Sequence, residues 1–229
     1  MFNQLLKEIQ SKANSEKAKI YQRFFKTGKG EYGEGDVFLG LTMPQQREIA
    51  KNYLALSFSQ IQKLLDSKLH EHRMQAGIIL TGKAKEKPEE TFNFYIKNAK
   101  KFDNWDLVDV TCIQVVGNFL LDKDKARLYK LTKSKNLWEK RIAIVSTYSF
   151  IRKNQFGDAI KISELLLKDK HDLIHKAIGW MLREIGKRDK TILEDFLKTN
   201  YKSIPRTTLR YAIERFPEKE RKQWLTYKN

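Results

Sequence analysis

A single cysteine, Cys112, occurs in 229 residues, so neither an intrachain disulfide nor a cysteine-built metal site is available. It falls in an apolar run and reads as a small core residue of a protein kept in a reducing compartment. Proline is scarce (Pro44, Pro88, Pro205 and Pro217) and glycine numbers only 11, which argues against a turn-rich β-sandwich and for helices. Long hydrophobic runs are missing as well. No stretch approaches a membrane span, and Met1 to Asn14 reads as an amphipathic helix, with Phe2, Leu5, Leu6 and Ile9 opposed to Lys7 and Glu8, rather than as a signal peptide. The expected location is cytoplasmic, with no membrane partner. Negative charge is the last shortage: 28 Asp and Glu stand against 45 Lys and Arg, a formal charge of +17. A polyanion such as nucleic acid is the expected partner, because neutralising phosphates releases counterions and steers encounter. A generally Lys-rich soluble protein is the alternative.

What is present is the material of a folded domain, 41% hydrophobic and 32% charged. Helical periodicity recurs along the chain and sustained period-2 alternation does not. The pattern predicts helices over about 2–13, 15–27, 44–55, 58–66, 70–84, 88–100, 104–121, 123–133, 136–152, 156–168, 171–187, 189–200, 205–215 and 217–227. Asp103 or Asn104, Asn136 and Asp189 are placed to cap helix starts. A repeat shows through: Ala76, Val110, Ala143, Ala177 and Ala212 follow one another by 34, 33, 34 and 35 residues. A small residue recurring in the middle of every second helix suits the close stacking of a helical solenoid. The expected fold is therefore all-α, an α-α superhelix of repeats, with a helical bundle as the fallback.

The segment Lys26 to Asp36, "KTGKGEYGEGD", breaks the regularity and reads as a loop. It holds a literal GxGxxG at Gly28, Gly30 and Gly33, but a helix precedes it and Glu31, Glu34 and Asp36 fill it. A dinucleotide loop needs a preceding strand, and those acids would repel a pyrophosphate. Pro44 then opens the next helix in its first turn.

Three segments carry candidate chemistry. In "NWDLVD", Trp105 and Asp109 are spaced i,i+4 and share one helix face, while Leu107, Val108 and Val115 point into the core. Asp106 suits the positive end of the helix; Asp109, deeper in, is either on a solvated face or held for a purpose. In "HKAIGWMLREIGK", Lys176, Trp180, Arg183 and Lys187 form a basic stripe with an indole in it, the pattern of a surface where cations meet phosphates and a ring meets sugar or base. Its alternative is a solvated charged face with Trp180 at the edge. In "LWEKRIAIVSTYSFIRK", Arg141, Tyr148 and Arg152 share a face and Trp138 stands at the helix start; Arg141 is a phosphate clamp or a surface partner of Glu139. "HDLIH" places His171 and His175 at i,i+4 without the Glu or third ligand of a zinc-protease helix, and His70 and His72 cannot face one ligand. No metal is expected.

"NWDLVD", "WEKRIAI" and "HKAIGWMLRE", in that order, together with "FLGLTMPQQREIA", resemble the AlkD-type DNA alkylation repair glycosylases over about residues 20 to 215. The resemblance implies one domain of HEAT-like repeats across residues 1–229 with a concave basic face. It also implies excision of cationic alkylpurines such as 3-methyladenine and 7-methylguanine from duplex DNA, without enclosing the base in a pocket. By motif position, the family's reactive residues fall on Asp109, Trp105, Arg141 and Trp180. Lys176, Arg183, Lys187, Arg152 and Tyr148 are expected to contact DNA. No cofactor is implied, and the partner is double-stranded DNA bearing alkylated bases, engaged by a monomer. The chain departs from the family pattern at Asn104, where relatives carry an aromatic. The competing readings are a non-catalytic binder of duplex or branched DNA and a protein–protein scaffold. The charge and the Lys176–Lys187 stripe oppose the scaffold, and Trp105 with Asp109 favours the enzyme.

Overall fold

A computed structural model describes residues 1–227. The chain gathers into two compact units, Met1–Thr111 and a second beginning at Cys112. The first holds α1 (Phe2–Ser11), α2 (Ser15–Phe24), α3 (Met43–Lys51), α4 (Phe58–Leu65), α5 (His70–Glu86), α6 (Pro88–Lys97) and a 3₁₀ turn at Ala99–Lys101; α7 (Trp105–Cys112) ends at the division. The second opens on a π-helical turn, Ile113–Gly117. It continues through α8 (Asn118–Leu120), α9 (Ala126–Thr132), α10 (Leu137–Val145), α11 (Tyr148–Ile151), α12 (Gly157–Leu166), α13 (Asp172–Gly186), α14 (Lys190–Asn200), α15 (Arg206–Ala212) and α16 (Glu218–Thr226). Among the described residues the sole β feature is a parallel bridge, Val37 to Leu69.

Local chemistry sets these starts. Asn14 accepts from the Lys17 amide, Asn136 from Trp138 and Glu139, and Asp189 from Ile192. The Ser57 and Gln60 side chains close a capping box on α4. Before α7 the cap is Asn104 rather than Asp103, its Oδ1 accepting from the Trp105 amide at 2.8 Å. The apolar stripes then bury as the periodicity predicts: Leu107 and Val108 on α7, and Ala177, Ile178, Met181, Leu182 and Ile185 on α13, are fully inaccessible. Each large aliphatic side chain so buried contributes about 1.5–3 kcal/mol of transfer energy.

The repeat needs one correction. Ala76, Ala143, Ala177 and Ala212 are buried, but Val110 is half-exposed. It stands at the edge of the stripe made by Leu107, Val108 and Thr111. Where the second unit's backbones approach most closely, the small residue is glycine. A Cβ on Gly117 would lie 2.3 Å from the Ser146 carbonyl oxygen, and one on Gly179 would lie 2.4 Å from Tyr211 Cβ. Gly117→Ala is expected to cost about 2 kcal/mol by overpacking, read as a fall in the urea midpoint.

Two predicted helices are interrupted. The 104–121 segment winds into the π turn after Cys112, and the 136–152 segment breaks between α10 and α11. At that break the Thr147 hydroxyl donates to the Ile144 carbonyl at 2.6 Å, and Ser149 Oγ donates to the Ile113 carbonyl at 2.9 Å. Buried hydroxyls that bond backbone carbonyls compete with the helical ladder and bend it.

Candidate nucleic-acid interface

The first unit places Trp105 and Asp109 one turn apart on α7, each half-exposed, while Leu107 and Val108 between them are buried. The helix carries its acids on the open side because its apolar residues leave no other face for them. Trp105 does not stand alone. Its ring stacks on Phe25 (centroids 5.3 Å apart, 24° between planes) and meets Phe24 edge-on at 5.9 Å. Phe24 is 61% exposed and Ile20, one turn earlier on α2, 53%. They border a groove of about 280 Å³ whose wall includes Tyr21, Phe38, His70 and Asp106. An exposed Phe beside a half-exposed Trp is an apolar, π-rich surface that can receive sugar or base.

Behind Trp105 lies a charged network. Buried His70 holds Asp36 through Nδ1 (2.8 Å) and Asp106 through Nε2 (2.9 Å). Arg73 donates to Asp36 (2.6 Å), to Asp103 (2.9 Å) and to the Ser67 carbonyl. Burial alone would discharge the imidazole, but Asp106 and Asp36 outweigh it and raise His70 to about 9, so both ring nitrogens donate at neutral pH. Burial likewise works against the Asp36 carboxylate, and His70 and Arg73 overcome it, holding Asp36 below the usual carboxylate range. Asn104, the departure from the family pattern, is wholly buried; its Nδ2 reaches Asp36 at 3.4 Å. The aromatic neighbours of Trp105 therefore come from Phe24 and Phe25 instead.

The Gly-rich loop offers nothing to a phosphate. Gly28 N–H donates to Glu31 and Gly30 N–H to Glu34, both at 2.9 Å, so the amides such a loop would present are already satisfied by its own acids.

The second unit holds Arg141, Tyr148, Arg152, Lys176, Trp180, Arg183 and Lys187. Tyr148 lies 6.0 Å from Trp180, ring to ring, and the Arg152 guanidinium sits 5.5 Å over the Tyr148 ring. Half-exposed Trp180 and Tyr148 with exposed Arg152 thus form one cation–aromatic cluster. Arg141 is not a surface residue pairing with Glu139. It is 5% exposed and its Nη1 donates to the Leu173 carbonyl at 2.6 Å, while Glu139 bonds Ser134. The basic stripe is real as a row but is partnered by acids, two of them a turn away on the same helix and one remote in sequence. Lys176 pairs with Asp172 (2.7 Å), Lys187 with Glu184 (2.6 Å), and Arg183 with Glu214. Of these only Lys176 and Asp172 are both open to solvent, and such a pair is worth about 0–1 kcal/mol, so a phosphate can displace it. His171 Nδ1 accepts from the Leu173 amide and His175 Nε2 bonds the Asp169 carbonyl, a capping role for "HDLIH".

Phe24, Phe25, His70, Arg73 and Asp36 were missed in the sequence. The available signal is the pair of helix starts: His70 is the first residue of α5, and Asp106 is in the first turn of α7.

A family model described as DNA alkylation repair enzyme matches residues 5–216. Among solved structures, one described as a predicted DNA alkylation repair enzyme from Enterococcus faecalis is similar, with a TM-score of 0.74 and 18% sequence identity over 90% of this chain and 98% of that one. That likeness establishes the helical-repeat fold. No curated protein matches the sequence.

Proposed function

Because the chain belongs to the DNA alkylation repair enzyme family, we propose that it is a DNA glycosylase that releases cationic alkylpurines, 3-methyladenine and 7-methylguanine, from duplex DNA. The observation that carries this reading is the one-turn pairing of Trp105 with Asp109, both half-exposed, on a helix whose Leu107 and Val108 are buried between them. A base alkylated at a ring nitrogen is already positive, so it departs with the glycosidic electron pair as a neutral base and needs no general acid. The deoxyribose is left as an oxocarbenium ion. Asp109 stabilises that charge and orients the water that adds to C1′, which loses its proton to complete the hydrolysis. Trp105, extended by Phe24, offers π faces to the cationic nucleoside, and Trp180 with Tyr148 and Arg152 holds a second stretch of backbone. Lys176, Arg183 and Lys187 meet phosphates, Lys176 by giving up its exposed pair with Asp172. Arg141, bonded to the Leu173 carbonyl, contributes from a buried position.

The test is release of free 7-methylguanine and 3-methyladenine from methylated duplex DNA, with binding to the same DNA followed across salt. Release is expected, with affinity that falls as salt rises. Binding without release would favour a non-catalytic DNA binder, for which the buried, internally bonded Arg141 is the supporting observation. Absence of binding even at low salt would remove both readings.

A further inference from the structure

The Gly-rich loop is left without a task by the function proposed above, yet its last residue is bound more heavily than any of its others. Asp36 accepts from His70, Arg73 and Asn104, which lie on α5 and at the entrance to α7. The loop is built to deliver it. Its turns close on their own glutamates, and Gly33 N–H donates to the Lys26 carbonyl. A Cβ on Gly33 would stand 2.5 Å from the Phe25 carbonyl oxygen and 3.1 Å from that of Lys26, so only glycine lets the loop lie this close to the backbone that follows α2. Immediately after, Val37 O accepts from the His70 amide at 2.8 Å, which fixes the loop exit to the start of α5.

Three bonds from this assembly reach the entrance and first turn of the helix bearing Trp105 and Asp109. His70 reaches Asp106, Arg73 reaches Asp103, and Asp36 reaches Asn104, whose Oδ1 in turn caps Trp105. A second, apolar route runs in parallel. His70 stacks on Phe38 (4.4 Å), Phe38 on Phe25 (5.0 Å) and Phe25 on Trp105 (5.3 Å), with no more than 24° between neighbouring planes. The charged groups facing His70 are Asp36 from the loop, Asp106 and Asp103 from the α7 entrance, and Arg73 and Glu71 from α5; toward α2 stand Phe25, which does not titrate, and Tyr21, whose phenol is pushed above its ordinary value of 10 by burial and by Glu71. We infer that the Asp36–His70–Asp106 bridge is a positioning clamp that locks the first turn of α7, and so the Trp105–Asp109 pair, into the orientation that excision needs. His70 touches no DNA in this scheme; it acts through Asp106 and through the aromatic stack. The inference rests on the glycosylase reading.

A positioning clamp differs from ordinary packing in its response to pH. The bridge requires the imidazolium, because a neutral ring can donate from one nitrogen only. With His70 raised from 6.5 to about 9, the clamp is fully present below the lower value and is lost as pH rises through about 9. Protein labelled with 5-fluorotryptophan gives one fluorine resonance for each of its four tryptophans, and Trp105→Phe identifies that of Trp105. In the wild type this resonance is expected to titrate with a midpoint near 9, whereas in His70→Gln it is displaced and indifferent to pH. Single-turnover excision by His70→Gln should fall on the order of tenfold, because small misplacements of reacting groups are costly, while affinity for undamaged duplex changes less than about threefold. Asp106→Asn, which keeps an acceptor and removes the charge, should reproduce both effects and serves if His70→Gln does not fold. A wild-type resonance that stays flat through pH 10, or variants with the wild-type rate and spectrum, would overturn the clamp. If the wild type releases no alkylpurine, the glycosylase reading falls, and the fluorine titration decides the clamp on its own.

Discussion

Asp109→Asn is expected to lower single-turnover release of 7-methylguanine by at least about tenfold, and by as much as 10²–10³ if Asp109 is the main group facing the sugar cation. Asparagine has the same shape and fits the same helical site, so the change removes the negative charge. Affinity for undamaged duplex should rise or hold, since a negative group beside phosphates opposes binding. Loss of rate with binding retained therefore separates a transition-state role from a structural one. The check is base release with protein in excess over a defined duplex. A rate equal to wild type would return Asp109 to a solvated helix face.

The largest expected loss of stability lies at Glu71. Its carboxylate, 1% exposed, accepts from the amides of Leu39 (2.8 Å), Gly40 (2.8 Å) and Leu41 (3.2 Å), three donors of a segment with no ladder of its own. Glu71 also stands in the first turn of α5, where the helix dipole favours an anion. Glu71→Ala would strand three amides away from water, for about 4 kcal/mol of destabilisation. Glu71→Gln should lose roughly half as much, because its amide nitrogen cannot accept. The same segment carries Phe38, so the stack leading to Trp105 loosens with it. Urea denaturation gives the magnitude, and faster hydrogen exchange at the amides of 39–41 locates it. Unchanged exchange there would show that Glu71 does not hold the segment.

How far the sequence could be read divides by range. Helices, caps at Asn136 and Asp189, and the buried stripe of α13 follow from neighbours within about a turn, and periodicity exposes them. The π turn after Cys112 and the break at Ser146–Thr147 were not legible, because they depend on buried hydroxyls meeting carbonyls of other segments, as Ser149 meets Ile113. Charge suffered most. Lys176, Arg183 and Lys187 read as a basic stripe, but Glu214, the partner of Arg183, comes from 31 residues away. The same limit hid the network behind Trp105. In the sequence His70 has only His72 near it and Asp36 is one acid of a Gly-rich loop, although the two meet at 2.8 Å across 34 residues. Asn104, one of two cap candidates for that helix start and a departure from the family's stacking aromatic, is the buried cap, and Phe24 and Phe25 supply the rings.

The central claim is that the base leaves because it is already charged, while Asp109 and the rings meet the cation left on the sugar. The most direct test compares single-turnover release of 7-methylguanine and of hypoxanthine, a neutral base, from duplexes identical in all other positions. The account predicts release of 7-methylguanine and none measurable of hypoxanthine. Comparable release of both would contradict it, because a neutral base departs readily only when an acid protonates it.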